Sequence, residues 1–210
     1  MHKVLRTLSI IMLVLLLLAP ARAVQEQKKP ETSAAPQSAQ KPEDPDAKKR
    51  EYFTDLEVIT HEGKKVRFYS DMLKDKVVVV TAYYLSCAQA CPLQNVVLNK
   101  LQRLLGDRFG KKVFFVSISV DPVNDKWELV KDYAKVWDAK SGWTFLTGKK
   151  ENVDWVAYKM GLYVKTPEEH DTRYILGNVK TARWVRMQPQ ATAEELSMRL
   201  LDLETARSKP

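Results

Sequence analysis

The chain has 210 residues, 29% of them charged and 45% hydrophobic, with a formal net charge of +8 and only two cysteines. Lys3, Arg6 and Arg22 lie in residues 1–23, where there is no acid, so the remainder carries +5. Spread over many lysines and acids, that excess reads as a solvated surface. It gives no warrant for nucleic-acid binding, though it suits anionic membranes or acidic protein partners.

The first element is a targeting segment. Lys3 and Arg6 precede the apolar run Leu8–Ala19, and Ala21-Arg22-Ala23 fits the small-x-small cleavage rule. This pattern predicts a bacterial secretory signal cut after Ala23 and an exported, periplasmic protein. The apolar run falls short of the roughly 20 residues that span a bilayer, so an uncleaved inner-membrane anchor is the alternative. No cysteine lies near the cleavage site, which argues against a lipoprotein. Residues 24–50 hold four prolines and no aromatic residue, and are expected to be a disordered linker. Residues 51–206 then form one domain of ordinary size.

Within that domain, Tyr52–Thr60 and Lys65–Tyr69, joined by His61-Glu62-Gly63, read as a β-hairpin. Val77–Tyr84 is a continuous apolar run, as expected of a strand buried on both faces. A helix follows from Pro92 to Leu105, with Leu93, Val96, Val97, Leu101 and Leu104 at helical spacing and Gly106 as its stop. Val113–Val120 is a second buried strand, ending at Asp121-Pro122. Asp125–Trp137 is a helix, Trp143–Leu146 a short strand, and Val153–Met160 a helix closed by Gly161. Arg173–Leu176 and Arg183–Met187 form a hairpin. The last helix, Ala193–Leu203, has Thr192 as its N-cap and Glu194 and Glu195 at its positive end. Trp127, Trp137, Trp143 and Trp155 read as core residues. This order of elements predicts an α/β, thioredoxin-like fold with an N-terminal β-hairpin extension.

Cys87 and Cys91 sit where the first core strand hands over to a helix. A loop of this length is a poor staple, because disulfide stabilisation shrinks with the loop it closes. The pair is therefore better explained by chemistry. Pro92 at the first helical position would put Cys91 near the N-cap, where free amides and the helix dipole favour thiolate. A thiolate there suits metal binding and disulfide exchange about equally. The Cys-x-x-x-Cys spacing is one residue looser than the Cys-x-x-Cys of thioredoxin-type oxidoreductases. Two soft thiolates and one imidazole suit cuprous ion, whereas zinc usually takes four ligands.

His2 leaves with the signal, and His61 reads as a solvated turn residue. His170 stands in the loop Thr166–Asp171 just before a strand, and in a thioredoxin-like domain that loop lies against the cysteine turn. It is the candidate third ligand. Asp121 reads as a turn residue, with a role beside the site as the alternative. Arg173, Lys180, Arg183 and Arg186 read as a solvated strand face. The methionines are scattered and form no copper-transfer segment.

The strand VVVVTAYYLS, then Cys87-x-x-x-Cys91-Pro92, then VSISVDP, then His170 before YIL, together resemble the Sco/SenC family over residues 51–206. The resemblance implies an exported, thioredoxin-like metallochaperone that holds copper, as Cu(I) or Cu(II), through Cys87, Cys91 and His170. It implies delivery to the dinuclear copper centre of a cytochrome c oxidase. The partners would be an apo copper domain of an oxidase subunit or another cuproprotein, and a thioredoxin-like reductant. Asp121 matches the family's Asp-Pro. Ala88-Gln89-Ala90 replaces the usual Pro-Asp-x between the cysteines, and Gly177-Asn178-Val179-Lys180 replaces the usual hairpin turn; both leave the client open. A thiol–disulfide reductase using Cys87 and Cys91 is the competing function. Against it, no proline directly precedes the Arg173–Leu176 strand. Peroxide chemistry lacks the Pro and Thr that should precede the nucleophile, since Tyr83-Tyr84-Leu85-Ser86 stand there.

Overall fold

The computed structural model describes residues 44–205. The signal at 1–23 and the linker up to residue 43 lie outside the described residues. The chain order is α1 (Ala47–Phe53), β1 (Glu57–Thr60), β2 (Lys65–Arg67), a π-helical turn (Phe68–Leu73), β3 (Val77–Tyr83), α2 (Ala90–Leu105), β4 (Val113–Ser119) and α3 (Trp127–Val136). β5 (Trp143–Thr147), α4 (Lys150–Met160), β6 (Tyr174–Asn178), β7 (Arg183–Met187) and α5 (Ala193–Thr205) follow.

These strands form one seven-stranded sheet in the order β2-β1-β5-β4-β3-β6-β7. β3, β4 and β5 run parallel, while β6 runs antiparallel to β3, with Val80 opposite Ile175 and Val77 opposite Asn178. The expected hairpin is β1–β2, and it extends the sheet by pairing β1 with β5. Every residue of β3 is buried, because both faces of the sheet are covered. Side chains alternate: Val77, Val79 and Tyr83 pack under α2, α3 and α5. Val78, Val80 and Ala82 pack under α1, α4 and the π-helical turn. This is the thioredoxin-like architecture. Among the described residues no helix is long and apolar enough to cross a membrane.

The domain starts earlier than composition implied. Residues 44–50, expected to be linker, enter α1, which is held by its end rather than by its own sequence. Phe53 stacks on Tyr69 and leans on Trp184. The Asp46 carboxylate accepts the Tyr69 hydroxyl at 3.0 Å and the Lys74 ammonium at 2.7 Å. Burying one aromatic ring contributes about 1.5–3 kcal/mol, which adds to the Asp46 contacts in holding this short polar helix.

The face of α2 also differs from the expected one. Its buried side is Cys91, Gln94, Asn95, Leu98, Leu101, Gln102 and Leu105, while Leu93 is 71% and Val96 57% exposed. The polar members are buried because each has a fixed partner. Gln94 donates to the Thr172 carbonyl, Asn95 to the Tyr133 hydroxyl and Gln102 to the Asp138 carbonyl. Trp143 is core as expected, but Trp155 lies on the surface, stacked on Tyr158 under the Lys159 ammonium.

Helix ends follow their expected signals. Gly161 closes α4 in the left-handed conformation, at φ 71°. Thr192 and Glu195 form a reciprocal capping box on α5, each accepting the other's backbone N–H. The β6–β7 turn lies one to two residues later than expected, since Gly177 and Asn178 are still strand. Gly177 is there for space: the Trp184 ring lies over it, and a Cβ would come within 2.3 Å of the indole. Gly177→Ala is therefore expected to cost about 1–3 kcal/mol by overpacking. Denaturant titration of the variant reads this, and unchanged stability would show that Trp184 is not held in place.

Candidate metal centre

β3 ends at Tyr83 and the chain turns at once, with the Cys87 N–H donating to the Tyr84 carbonyl at 3.2 Å. α2 then begins at Ala90, two residues earlier than expected, so Cys91 is its second residue and Pro92 its third. The consequence is specific. The Cys91 N–H, still free of any helical acceptor at the second position, donates to Cys87 Sγ at 3.2 Å. It is Cys87 that receives the amide and the positive end of the dipole.

Cys91 itself is fully buried, and Cys87 is 9% exposed. Burial pushes the Cys91 thiol well above the usual range, helped by Cys87 beside it. The expectation that the helix N-terminus would make Cys91 a thiolate is corrected here. Desolvation of the charged form outweighs the dipole when no opposite charge is present.

His170 ends a short 3₁₀ turn, Pro167–Glu169, in the loop before β6. Its Nδ1 lies 3.0 Å from the Pro167 carbonyl, which can only accept, so Nδ1 carries the proton. Nε2 is then a free lone pair, and it lies 3.2 Å from Cys91 Sγ and 3.9 Å from Cys87 Sγ. Burial lowers the affinity of His170 for a second proton, opposed by the Pro167 carbonyl, Asp171 and Glu168. The imidazole is neutral at neutral pH, as a metal ligand must be. Tyr84 packs edge-on against it at 5.0 Å. The loop is held to α2 by Gln94, whose amide donates to the Thr172 carbonyl at 2.6 Å.

Among the described residues, Cys87, Cys91 and His170 are the cluster of ligand-type side chains that could hold a metal ion, with their donor atoms within 4.8 Å of one another. Both cysteines are free thiols. The other candidates are not part of this cluster. His61 is no solvated turn residue: it is half-buried, its Nδ1 accepts the Phe145 N–H at 3.2 Å, and it prolongs the β1–β5 pairing. Asp121 is a turn residue whose carboxylate accepts Asn124 Nδ2 at 3.0 and 2.8 Å. Arg173 pairs with Asp171. The carboxylate that reaches the cysteine turn is Asp125, bonded to the Leu85 N–H. In the sequence it reads only as the start of a helix, because its distinguishing property is burial.

A thioredoxin-like domain with two cysteines and one histidine converging at the end of β3, an inner strand of its sheet, defines a class of Cys₂His proteins. The chain belongs to the SCO1/SenC family, whose model matches residues 44–196. No curated relative matches the sequence. Among solved structures, Arabidopsis thaliana ScoI with copper bound is 22% identical over 72% of this chain and 97% of its own, with a TM-score of 0.60. Bradyrhizobium japonicum ScoI with copper bound is 24% identical over 70% of this chain and 96% of its own, with a TM-score of 0.59. BsSco, described as a member of the Sco family of cytochrome c oxidase assembly proteins with a disulfide switch, is 24% identical over 72% and 92%, with a TM-score of 0.61.

The burial difference between the sulfurs has a direct readout. In the reduced protein at neutral pH, iodoacetamide should modify Cys87 before Cys91, as mapped by peptide mass spectrometry. Equal or inverted labelling would contradict the burial argument.

Proposed function

We propose that this protein is a copper metallochaperone: Cys87, Cys91 and His170 bind one copper ion and pass it to an apo copper domain. The delivery target we assign is the dinuclear copper centre of a cytochrome c oxidase. The observation that carries the copper reading is the fixed tautomer of His170, whose unprotonated Nε2 faces both thiols. A neutral imidazole and two thiols make a soft, low-coordinate donor set, suited to cuprous ion. Binding displaces the thiol protons, including that of Cys91, so copper recovers the burial cost of the thiolate by pairing it with a cation. Copper-bound ScoI structures of the same fold support the cargo, and the family's link to oxidase assembly supports the client.

Release requires an approach to the ion. Of the three ligands His170 is the one partly exposed, while Cys87 is buried and followed by the exposed Ala88 and Gln89. An incoming ligand would meet copper on the His170 side, and the fully buried Cys91 would let go last. Ligand exchange of this kind needs no proton donor beyond the solvent and the client's own thiols. Residues 1–23 support export and periplasmic action, with the uncleaved signal as an anchor to the inner membrane in the alternative case.

A second reading, thiol–disulfide exchange with a client, is favoured by the Cys91 N–H on Cys87 Sγ. In it, Cys87 thiolate attacks a client disulfide and one client thiolate leaves. Cys91 then gives its proton to His170 Nε2 and attacks Cys87 Sγ, releasing the second client thiol. The client gains two electrons, and Cys87 and Cys91 end as a disulfide.

Anaerobic copper titration of the reduced chain separates the readings. One ion should bind the wild type, either Cys→Ser variant should lose tight binding, and His170→Ala should weaken it by more than the 10- to 100-fold typical of losing a ligand's supporting contact. Full-strength, one-to-one binding by His170→Ala would remove the triad. Rapid reduction of insulin by a strongly reducing Cys87–Cys91 couple, with no tight copper binding, would establish the second reading instead.

A further inference from the structure

Asp125 is a buried carboxylate outside the set of three ligands. It is 1% exposed and sits just after β4, where three parts of the fold meet. From β4, the Ser119 hydroxyl donates to Oδ2 at 2.6 Å. From the cysteine turn, the Leu85 N–H donates to Oδ1 at 3.1 Å. From β5, the Thr147 hydroxyl donates to the Asp125 carbonyl at 2.6 Å. Its own N–H donates to the Asp121 carbonyl at 2.9 Å, closing the turn.

These bonds run without a gap to the metal-binding atoms. Leu85 is the middle of the turn that the Cys87 N–H closes on the Tyr84 carbonyl, and Cys87 Sγ in turn receives the Cys91 N–H. A shift of Leu85 would therefore move Cys87 Sγ relative to His170, whose loop is fixed separately through Gln94. Asp125 also acts by charge. The charged neighbour it feels is another carboxylate, Asp121, while burial lifts its own carboxyl to about 6, leaving it ionised in large part at neutral pH. Cys91 feels that negative charge.

We propose that Asp125 is a positioning residue of the copper site: it holds the Cys87 turn through Leu85, and its charge biases the bound ion toward the cupric form. The proposal rests on the copper reading above. Two thiolates and a neutral imidazole around Cu(I) carry a net charge of about −1, and around Cu(II) about zero, by simple ionic counting. A fixed negative charge nearby opposes the first state more than the second, so it lowers the reduction potential.

The test compares the full chain with D125N and D125A. Asparagine keeps an oxygen for the Leu85 N–H and removes the charge; alanine removes both. In the copper-free protein, hydrogen exchange should leave Leu85 protected in D125N and expose it in D125A. Should D125A fail to fold, Asp125→Ser, whose shorter side chain does not span the distance to the Leu85 N–H, takes its place. In the loaded protein, D125N should favour Cu(I) about tenfold, an upward shift of about 59 mV for one electron, with unchanged stoichiometry. D125A should in addition shift the sulfur-to-Cu(II) charge-transfer band. Wild-type potential, band and Leu85 protection in both variants would overturn the proposal, whatever the thermal stability. Wild type that binds no copper would defeat the copper reading instead, while Leu85 exchange still decides whether Asp125 holds the turn.

Discussion

The antiparallel pairing of β6 with β3 is the constraint on which the site depends. Because the two strands run in opposite directions, the residues after β3 and the residues before β6 emerge at the same end of the sheet. Cys87 and His170 are far apart in sequence, yet this single pairing makes them neighbours. A parallel β6 would carry His170 to the other end. The Gln94 bond to Thr172 then converts neighbourhood into register, fixing the histidine loop against the helix that carries Cys91. β3 can bear this duty because it is buried along its whole length, paired on both edges and covered on both faces.

The chemistry of the site follows from a competition between burial and local dipoles. At Cys87 the backbone supplies a hydrogen bond to sulfur. At Cys91 burial dominates, and the thiol holds its proton. At His170 burial and the Pro167 carbonyl together leave Nε2 free. A site made this way resists becoming anionic at Cys91 while empty and accepts a cation readily, since the cation replaces the proton that the buried Cys91 sulfur carries. Asp125 sits behind it as a charge that the fold has buried without a countercharge, its desolvation offset by the Ser119 hydroxyl and the Leu85 N–H.

Much of this was legible in the sequence. The buried strands, the cysteine turn at the end of β3, the β6–β7 pair and the cluster of Cys87, Cys91 and His170 all followed from apolar runs, spacing and motif order. The failures have a common cause. Leu93 and Val96 are exposed, and Gln94 and Asn95 buried, because partners distant in sequence satisfy the polar side chains; periodicity counts hydrophobicity and cannot see those partners. The same blindness hid Asp125, and it made His61 look solvated when a backbone N–H from β5 holds it. Residues 44–50 looked like linker because the contacts that order them belong to Phe53, Tyr69 and Trp184. The helix starts two residues before Pro92 because a proline in the first turn has no helical acceptor to lose, and that early start is what delivers the Cys91 amide to Cys87.

The central claim is that copper is held by two sulfurs and one imidazole of this chain. X-ray absorption spectroscopy of the reduced, copper-loaded protein tests it most directly. The account predicts a first shell of two sulfur scatterers and one nitrogen, with the outer-shell pattern of imidazole that disappears in His170→Ala. A shell of sulfur alone, or an imidazole signal that survives that substitution, would contradict it.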